Sequence, residues 1–531
     1  MTIELIVNVI LLVATVAAFA IMLKWDMQML QQNSYRNERY RAWLKESSDH
    51  YSVQRLIDAA VLVISLTPFA LKSFYVVGIL AVALIAQGIS LLRRKYKKPL
   101  VFTKRVRRLY FAELALVVVV MALAAVGGAD ALDAVRDATT VGLLALTVSW
   151  LVTLCVNWLM KPVENHINNG FIHDAERRLA QMPGMTVIGI TGSYGKTSTK
   201  HYLYRILSEQ FSVLMTPGSF NTPMGVVRTV REMMQPYNEI FICEMGAKNL
   251  GDIKEICDIV HPTMGIITAV GPQHLESFKS IENVQHTKFE LADALPADGL
   301  VVVNDDFEYI ANRPVENTQV QRYSVDPAKG TDYYARDIAY SNRGTTFTVV
   351  GPGKEITLST RLVGECNISN LIAAVAIAVR LGVPDDKIRY AVSKIEQVEH
   401  RLNIKRTAGG ITIIDDAYNS NPTGSRMALD VLSHMTGGKR IVITPGMIEL
   451  GSKQHECNAQ LGEHIAETCD VAIVVGQYNR DAIMEGINRK GMDKSKVHTV
   501  DSFNEAQQLM LSFATAGDTV LYENDLPDTF K

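Results

Sequence analysis

Apolar positions follow two regimes along this chain. Up to about residue 160 they form long unbroken runs; beyond it they form short β-branched runs separated by stretches with helical spacing. The first run, Leu5–Leu23, is 19 residues without a charge, long enough to cross a bilayer. Further runs are Leu56–Leu71, Tyr75–Leu92, Tyr110–Gly127 and Thr140–Met160, so the pattern predicts about five spans. Pro68 and Lys72 interrupt the stretch 56–92, which reads either as two short spans or as a re-entrant hairpin. "AFA" at 18–20 resembles a signal-peptidase site, but no basic segment precedes it and basic residues follow it, as in an uncleaved anchor. From Lys161 onward the alternation of strand-like and helical stretches predicts an α/β fold.

Charge distribution sharpens this picture. The whole chain carries a formal charge of −2, yet residues 1–160 hold seven more basic than acidic side chains, leaving the remainder acidic by nine. No basic patch marks the acidic part, which argues against a nucleic-acid partner. Residues 24–55 carry six Lys/Arg, Arg93–Arg108 carries nine and no acid, and residues 127–140 carry three Asp and one Arg. Basic loops stay in the cytoplasm. The N-terminus is therefore expected outside and everything after Lys161 in the cytoplasm, as in a multi-pass protein of the cell membrane. The basic run 93–108 is either a plain topology signal or a contact for anionic headgroups. The six cysteines (Cys155, Cys243, Cys257, Cys366, Cys457, Cys469) show no paired spacing, as expected of reduced thiols without a structural zinc.

One stretch carries chemistry. "MTVIGI" reads as a buried strand, "TGSYGKTS" as a turn, and "TKHYLYRILSEQ" as a helix. Strand, glycine turn and helix aim backbone N–H groups and a helix N-terminus at a phosphate chain. In this reading Lys196 reaches the outer phosphates and the Thr197 hydroxyl meets Mg²⁺. The strict P-loop pattern wants glycine where this chain has Ile190; glycines stand at Gly189 and Gly192 instead.

The loop "GITGSYGKTS" resembles the ATP loop of the Mur ligase superfamily, the ATP-dependent amide ligases of cell-wall peptide assembly. The likeness is strongest to the D-alanyl-D-alanine-adding branch. Further matches follow in order: "EMGAKNLGDI", "HLESF", "HTKFEL", "VNDDFEY", "GECNISNLIAAVAIAVRLG", "HRLNI" and "IIDDAYNSNP". The resemblance implies a P-loop central domain (186–360) and a Rossmann-like C-terminal domain (361–531). Ahead of them stand a transmembrane helical domain (1–160) and a linker (161–185). It also implies ATP held by Thr191, Gly192, Ser193, Tyr194, Gly195, Lys196, Thr197 and Ser198, by Asn367 and Asn370 near a hinge at 364–370, and by Arg401, Asp416 and Asn419. Glu244 would join Thr197 on one Mg²⁺. His274 would hold a second, with Lys288 as a carbamate, which offers a hard cation an anionic oxygen. Lys196, Glu244, His274 and Lys288 would be the catalytic set.

Four departures from the family pattern bear on the substrate. No UDP-binding domain fits between Met160 and the loop, Cys366 stands where the family has His, and Gly446 replaces an Asp. The terminal "GDTVLYENDLPDTF" is acidic from Glu523 to Asp528 where the family has a basic segment. The expected activity is a membrane-anchored ligase that activates a carboxylate with ATP and joins it to an amine, in envelope or peptidoglycan-related synthesis. Its partners would be the bilayer, carboxylate and amine substrates (lipid-linked ones included) and a membrane-bound biosynthetic enzyme. The alternatives are a ligase of the poly-γ-glutamate type and a non-catalytic nucleotide-sensing scaffold. A transporter is disfavoured, because Asp58 and Glu113 lie near the span ends.

Overall fold

The computed structural model describes residues 3–67, 70–94, 96, 98–341, 344–398, 402–417 and 420–526. Two units emerge, one ending at Asn168 and one covering 169–525.

Unbroken apolar sequence makes the first unit a helical bundle, with helices Ile3–Gln32, Asn37–Ser47, Val53–Ser65, Phe74–Leu92, Lys104–Val126 and Ala131–Thr147. Its core holds Leu11, Phe19, Leu23, Leu84 and Leu143, while Val13, Ile79, Val82 and Leu123 remain exposed on the outside. Helices apolar on every face are those whose surroundings are also apolar. Polar ties mark the two ends of the bundle. At one end the Leu71 carbonyl accepts from Asn8 (3.3 Å) and Arg136 (3.2 Å), and Arg136 pairs with Glu4. At the other, Asp26 accepts from Tyr40 (2.8 Å), Arg55 (2.6 Å) and Ser149 (2.6 Å), and Gln28 donates to the Lys98 carbonyl at 3.0 Å. Burying these charges is tolerable because each is paired.

The expected count of five spans needs correction. Among the described residues three helices are long and apolar enough to cross a membrane: Ile3–Gln32, Phe74–Leu92 and Lys104–Val126. The bent pair Ala131–Thr147 and Ser149–Ala180 can supply a fourth. Val53–Ser65 has only 13 residues, about 20 Å at 1.5 Å per residue. The run expected at Thr140–Met160 is broken after Thr147, where the chain turns by 82°. The stretch read as a linker from 161 is helical as far as Ala180, with Pro162 inside that helix.

The second unit is built on two sheets. The first contains β1 (Thr186–Thr191), β2 (Val213–Met215), β3 (Ile240–Glu244), β4 (Met264–Ile267), β5 (Leu300–Asn304), β6 (Gln319–Ser324), β7 (Tyr333–Ser341), β8 (Gly344–Gly351) and β9 (Lys354–Thr360). Their order is β2-β3-β1-β4-β5-β6-β7-β8-β9, parallel as far as β7 and antiparallel beyond. Both faces of β1 are covered, as its β-branched sequence requires. Ile188 and Ile190 meet helices Lys196–Leu207, Glu365–Arg380 and Asp385–Ser393, whereas Val187 faces the core of helices Asp252–Val260 and Ile281–Asp293. The core on the Ile188 side continues to Ile395, well past residue 360 where the central domain is expected to end. Because β3 and β4 flank β1, the chain reverses its direction of winding there. In open α/β sheets, ligands bind at such a crevice, beyond the strand ends.

The second sheet holds β10 (Asn403–Arg406), β11 (Thr412–Asp416), β12 (Arg440–Thr444), β13 (Val471–Val475), β14 (Val497–Val500) and β15 (Thr519–Glu523), ordered β10-β11-β15-β12-β13-β14. Only β10 is antiparallel. On one face lie helices Pro422–Ser433, Gln454–Thr468 and Arg480–Lys490, and Phe503–Phe513 covers the other. Two of these helices touch backbone to backbone. A Cβ on Gly486 would stand 1.8 Å from the Ala459 carbonyl oxygen, and one on Gly462 2.1 Å from that of Ile483. Gly486→Ala is expected to cost about 1–3 kcal/mol, as overpacking does, read as a lower thermal midpoint in detergent. Gly184→Ala, with nothing within 4 Å of the added carbon, should leave the midpoint unchanged.

Candidate active site

The loop between β1 and helix Lys196–Leu207 owes its shape to two glycines. Gly192 has φ +148° and Gly195 +78°; a Cβ would strike the Thr268 hydroxyl at 2.1 Å and Asn370 Oδ1 at 2.5 Å, respectively. Strand β4 and its following loop brace the turn. Ser193 N–H donates to the Ala269 carbonyl at 2.7 Å, and the Ser193 hydroxyl donates to the Gly271 carbonyl at 3.1 Å. Thr268 donates to the Tyr194 carbonyl. No side chain caps the helix at Gly195, so its first-turn N–H groups are offered to an anion. Lys196 Nζ rests on the carbonyls of Gly192 (2.6 Å) and Ser193 (3.2 Å).

Register brings the next residue to this loop. β3 pairs with β1 so that Glu244 lies opposite Ile190, one residue short of the turn. Glu244 is only 1 % exposed. Its Oε1 accepts from Thr197 Oγ1 and Asn221 Nδ2, both at 3.1 Å, and its Oε2 pairs with Lys200 Nζ at 2.9 Å. Burial works to raise the Glu244 pKa, but Lys200, and then Lys196, outweigh it and hold the carboxylate below its ordinary range. Lys200 and Asn221 are absent from the expected set. Lys200 was the more legible, since it stands four residues after Lys196 and so on the same helix face. Asn221 lies in a loop with no pattern of its own.

His274 caps the short helix Leu275–Phe278 with φ +52°, and its Nδ1 is bonded to Glu449. Burial draws the imidazole below its ordinary pKa, although Glu449 pulls the other way. Lys288 is 1 % exposed, and burial, followed by the nearby Lys196, pushes its amine well below the usual lysine range. Phe278 covers it at 5.9 Å.

The remaining expected residues divide. Asn367 accepts from Tyr202 OH at 2.7 Å and Asn370 from Thr199 Oγ1 at 3.1 Å, so both grip the helix that follows the loop. Burial pushes the Cys366 thiol between them and Gly364 up to about 12, which leaves it neutral. Asp416 ends β11 and binds Leu402 N–H at 3.1 Å. Arg401, Asn419 and Asp528 lie outside the described residues. Glu523, read as the start of an acidic end segment, is fully buried at the end of the interior strand β15, opposite Asp416. Burial, and then Asp416, raise its pKa well above the usual carboxylate range. Next to it, Asn524 Nδ2 donates to the Gly446 carbonyl at 2.6 Å. Gly446, at φ +77°, has no room for the family's Asp, because a Cβ would lie 2.5 Å from Asn458 Oδ1.

These residues suit a magnesium nucleotide. The loop offers N–H groups and a lysine to phosphates, and the Thr197 and Glu244 oxygens form a hard, buried donor pair of the kind Mg²⁺ takes together with phosphate oxygens. Among the described residues no group of three or more His, Cys, Asp or Glu could hold a metal by itself.

Comparison with known proteins agrees with the motifs. The Mur ligase middle domain family matches residues 190–378, and the family described as Mur ligase, glutamate ligase domain, matches 400–522. The UDP-N-acetylmuramoyl-tripeptide–D-alanyl-D-alanine ligase of Bacillus subtilis is 30 % identical over 345 residues, covering 64 % of this chain and 73 % of that protein. Its Escherichia coli counterpart is 30 % identical over 335 residues, covering 62 % and 74 %. Among solved structures, MurF from Acinetobacter baumannii superposes with a TM-score of 0.61 at 26 % identity, over 67 % of this chain and 77 % of that one. The Thermotoga maritima MurF ligase, crystallised with ADP, shares the fold with the same TM-score at 24 % identity, over 67 % and 80 %.

Replacing Lys200 tests the buried pair. Lys200→Met leaves the Glu244 carboxylate buried without its cation and should cost about 3–5 kcal/mol of stability. The double change Lys200→Met with Glu244→Gln should recover most of it. Thermal unfolding of the solubilised protein reads both, and an unshifted Lys200→Met midpoint would contradict the assignment.

Proposed function

We propose that this chain, which belongs to the Mur ligase family, is a membrane-anchored ligase that joins the carboxylate of a cell-envelope precursor to an amine. Like its family it is an ATP-dependent, ADP-forming amide ligase that uses Mg²⁺. A carboxylate and an amine do not condense in water, so the acid is activated first. Its oxygen attacks the γ-phosphorus in line, the bond to the β-phosphate oxygen breaks, and ADP leaves. The amine nitrogen then attacks the acyl carbon, releasing inorganic phosphate and a proton and leaving the amide.

In this reading the loop N–H groups hold the phosphate chain while Lys196 neutralises its outer end. Magnesium supplies charge screening on the transferred phosphoryl group. One ion would be held by Thr197 and Glu244, the other by His274 and Lys288. Burial, and then Lys196, lower the pKa of Lys288 and so favour the neutral amine, the form that reacts with CO₂ to give a carbamate. Asn367 and Asn370 position the nucleotide through the helix they grip, and Asp416 reaches it from the second sheet. The observation that carries the proposal is the Thr197–Glu244 oxygen pair at the head of a glycine loop.

Substrate and location are the finer part. The relatives' names specify UDP-N-acetylmuramoyl-tripeptide and D-alanyl-D-alanine. Neither family match extends before residue 190, where this chain has helices that are long, apolar and outwardly exposed. A membrane unit there supports a lipid-linked or membrane-delivered acid, since tethering raises effective concentration near such a substrate. The Glu4–Arg136–Leu71 tie and the Asp26–Arg55–Ser149 tie lie at opposite ends of the bundle. In this reading 53–92 is a hairpin that returns the chain to the side it left, so both basic segments share the cytoplasmic face with the ligase domains.

Lys196→Ala tests the chemistry. In detergent, with a panel of acids, amines and lipid-linked muropeptides, the wild type should release ADP with one acid–amine pair. The variant should be at least about 10²-fold slower, the scale of losing one preorganised charge donor. Full activity in Lys196→Ala, or no ADP release with any pair, would overturn the proposal.

A further inference from the structure

Glu449 has no place in the expected set, yet it is the centre of a compact cluster. It comes from the segment 446–451 that follows β12, and it reaches across to residues attached to the first sheet. Its carboxylate takes Lys248 Nζ at 2.8 Å on Oε1 and 3.2 Å on Oε2, and it takes His274 Nδ1 on Oε2. The backbones meet as well: Glu276 N–H donates to the Glu449 carbonyl at 3.3 Å. A Cβ on Gly451 would lie 3.2 Å from the Glu276 nitrogen. Glu449 itself is held at φ +64°, a left-handed conformation unusual for a residue with a side chain.

We infer that Glu449 is a positioning residue that turns His274 into a metal ligand, and does so only while the 446–451 segment lies against the His274 loop. The inference rests on the reading of His274 as a ligand of the second Mg²⁺. An ionised carboxylate accepts only, so Nδ1 carries the proton and Nε2 keeps its lone pair for a metal. Ligating histidines are commonly fixed in this way by a carboxylate on the other ring nitrogen. Here that carboxylate comes from the other sheet's loops, so forming the metal site and docking the two halves of the ligase become one event. Lys248 pairs with both oxygens of Glu449.

Mn²⁺ serves as the probe, bound to full-length protein in detergent with a non-hydrolysable ATP analogue and counted by EPR. Glu449→Ala should weaken the second Mn²⁺ about 10- to 100-fold and leave the first unchanged. Glu449→Gln, which still accepts from Nδ1–H, should fall between, and Lys248→Met should retain both ions. Thermal midpoints confirm that each variant is folded. Wild-type affinity for the second Mn²⁺ in Glu449→Ala overturns the inference. An equal loss in Lys248→Met also overturns it, because Glu449 would then be only a latch. His274→Ala separates the two levels: if it keeps the second Mn²⁺, the ligand reading itself fails and the inference with it.

Discussion

A carboxylate that is buried, charged and still able to offer an oxygen is an unstable combination, and this ligase is organised around one. Glu244 lies at the end of β3, out of water, where an isolated charge would be neutralised. Lys200 occupies Oε2 at 2.9 Å and leaves Oε1 beside the Thr197 hydroxyl. Everything else about the site follows from keeping that geometry. The parallel register of β1 and β3 sets Glu244 against the glycine turn. Thr268 and Ser193 tie the turn to β4 and its loop, and Asn370 holds the helix that carries Thr197 and Lys200.

Much of this was legible in the residue order, and the exceptions have physical causes. Strand, turn and helix around Lys196 announced themselves through β-branched runs, glycines and helical spacing, and Glu244 and His274 through ordered motifs. Lys200, Asn221 and Glu449 did not, because their meaning lies in contacts made by folding. The acidic C-terminal stretch misled for a related reason. Written out, "YEND" looks solvated, but β15 is an interior strand, and Glu523 and Asn524 brace the loops at 420–425 and 446. Span prediction erred where hydropathy ignores geometry. Apolar sequence runs on from Thr140 to Met160, while the helix axis turns by 82° after Thr147.

The helical unit and the ligase unit distribute their apolar side chains differently. In the bundle, apolar side chains face outward, and Asp26 and Arg55 are buried as a pair. In the α/β unit, apolar side chains line both faces of each sheet. One chain carrying both is what the proposed membrane-anchored ligase requires.

The central claim, that ATP activates a carboxylate as an acyl phosphate, has a direct test. The acid substrate is labelled with ¹⁸O in its carboxylate, a single turnover is run with the matching amine, and the released inorganic phosphate is examined by mass spectrometry. One labelled oxygen should appear in phosphate for each amide formed, because the bridging oxygen of the acyl phosphate originates in the acid. Amide formation with unlabelled phosphate, or with the label in AMP, would contradict the account.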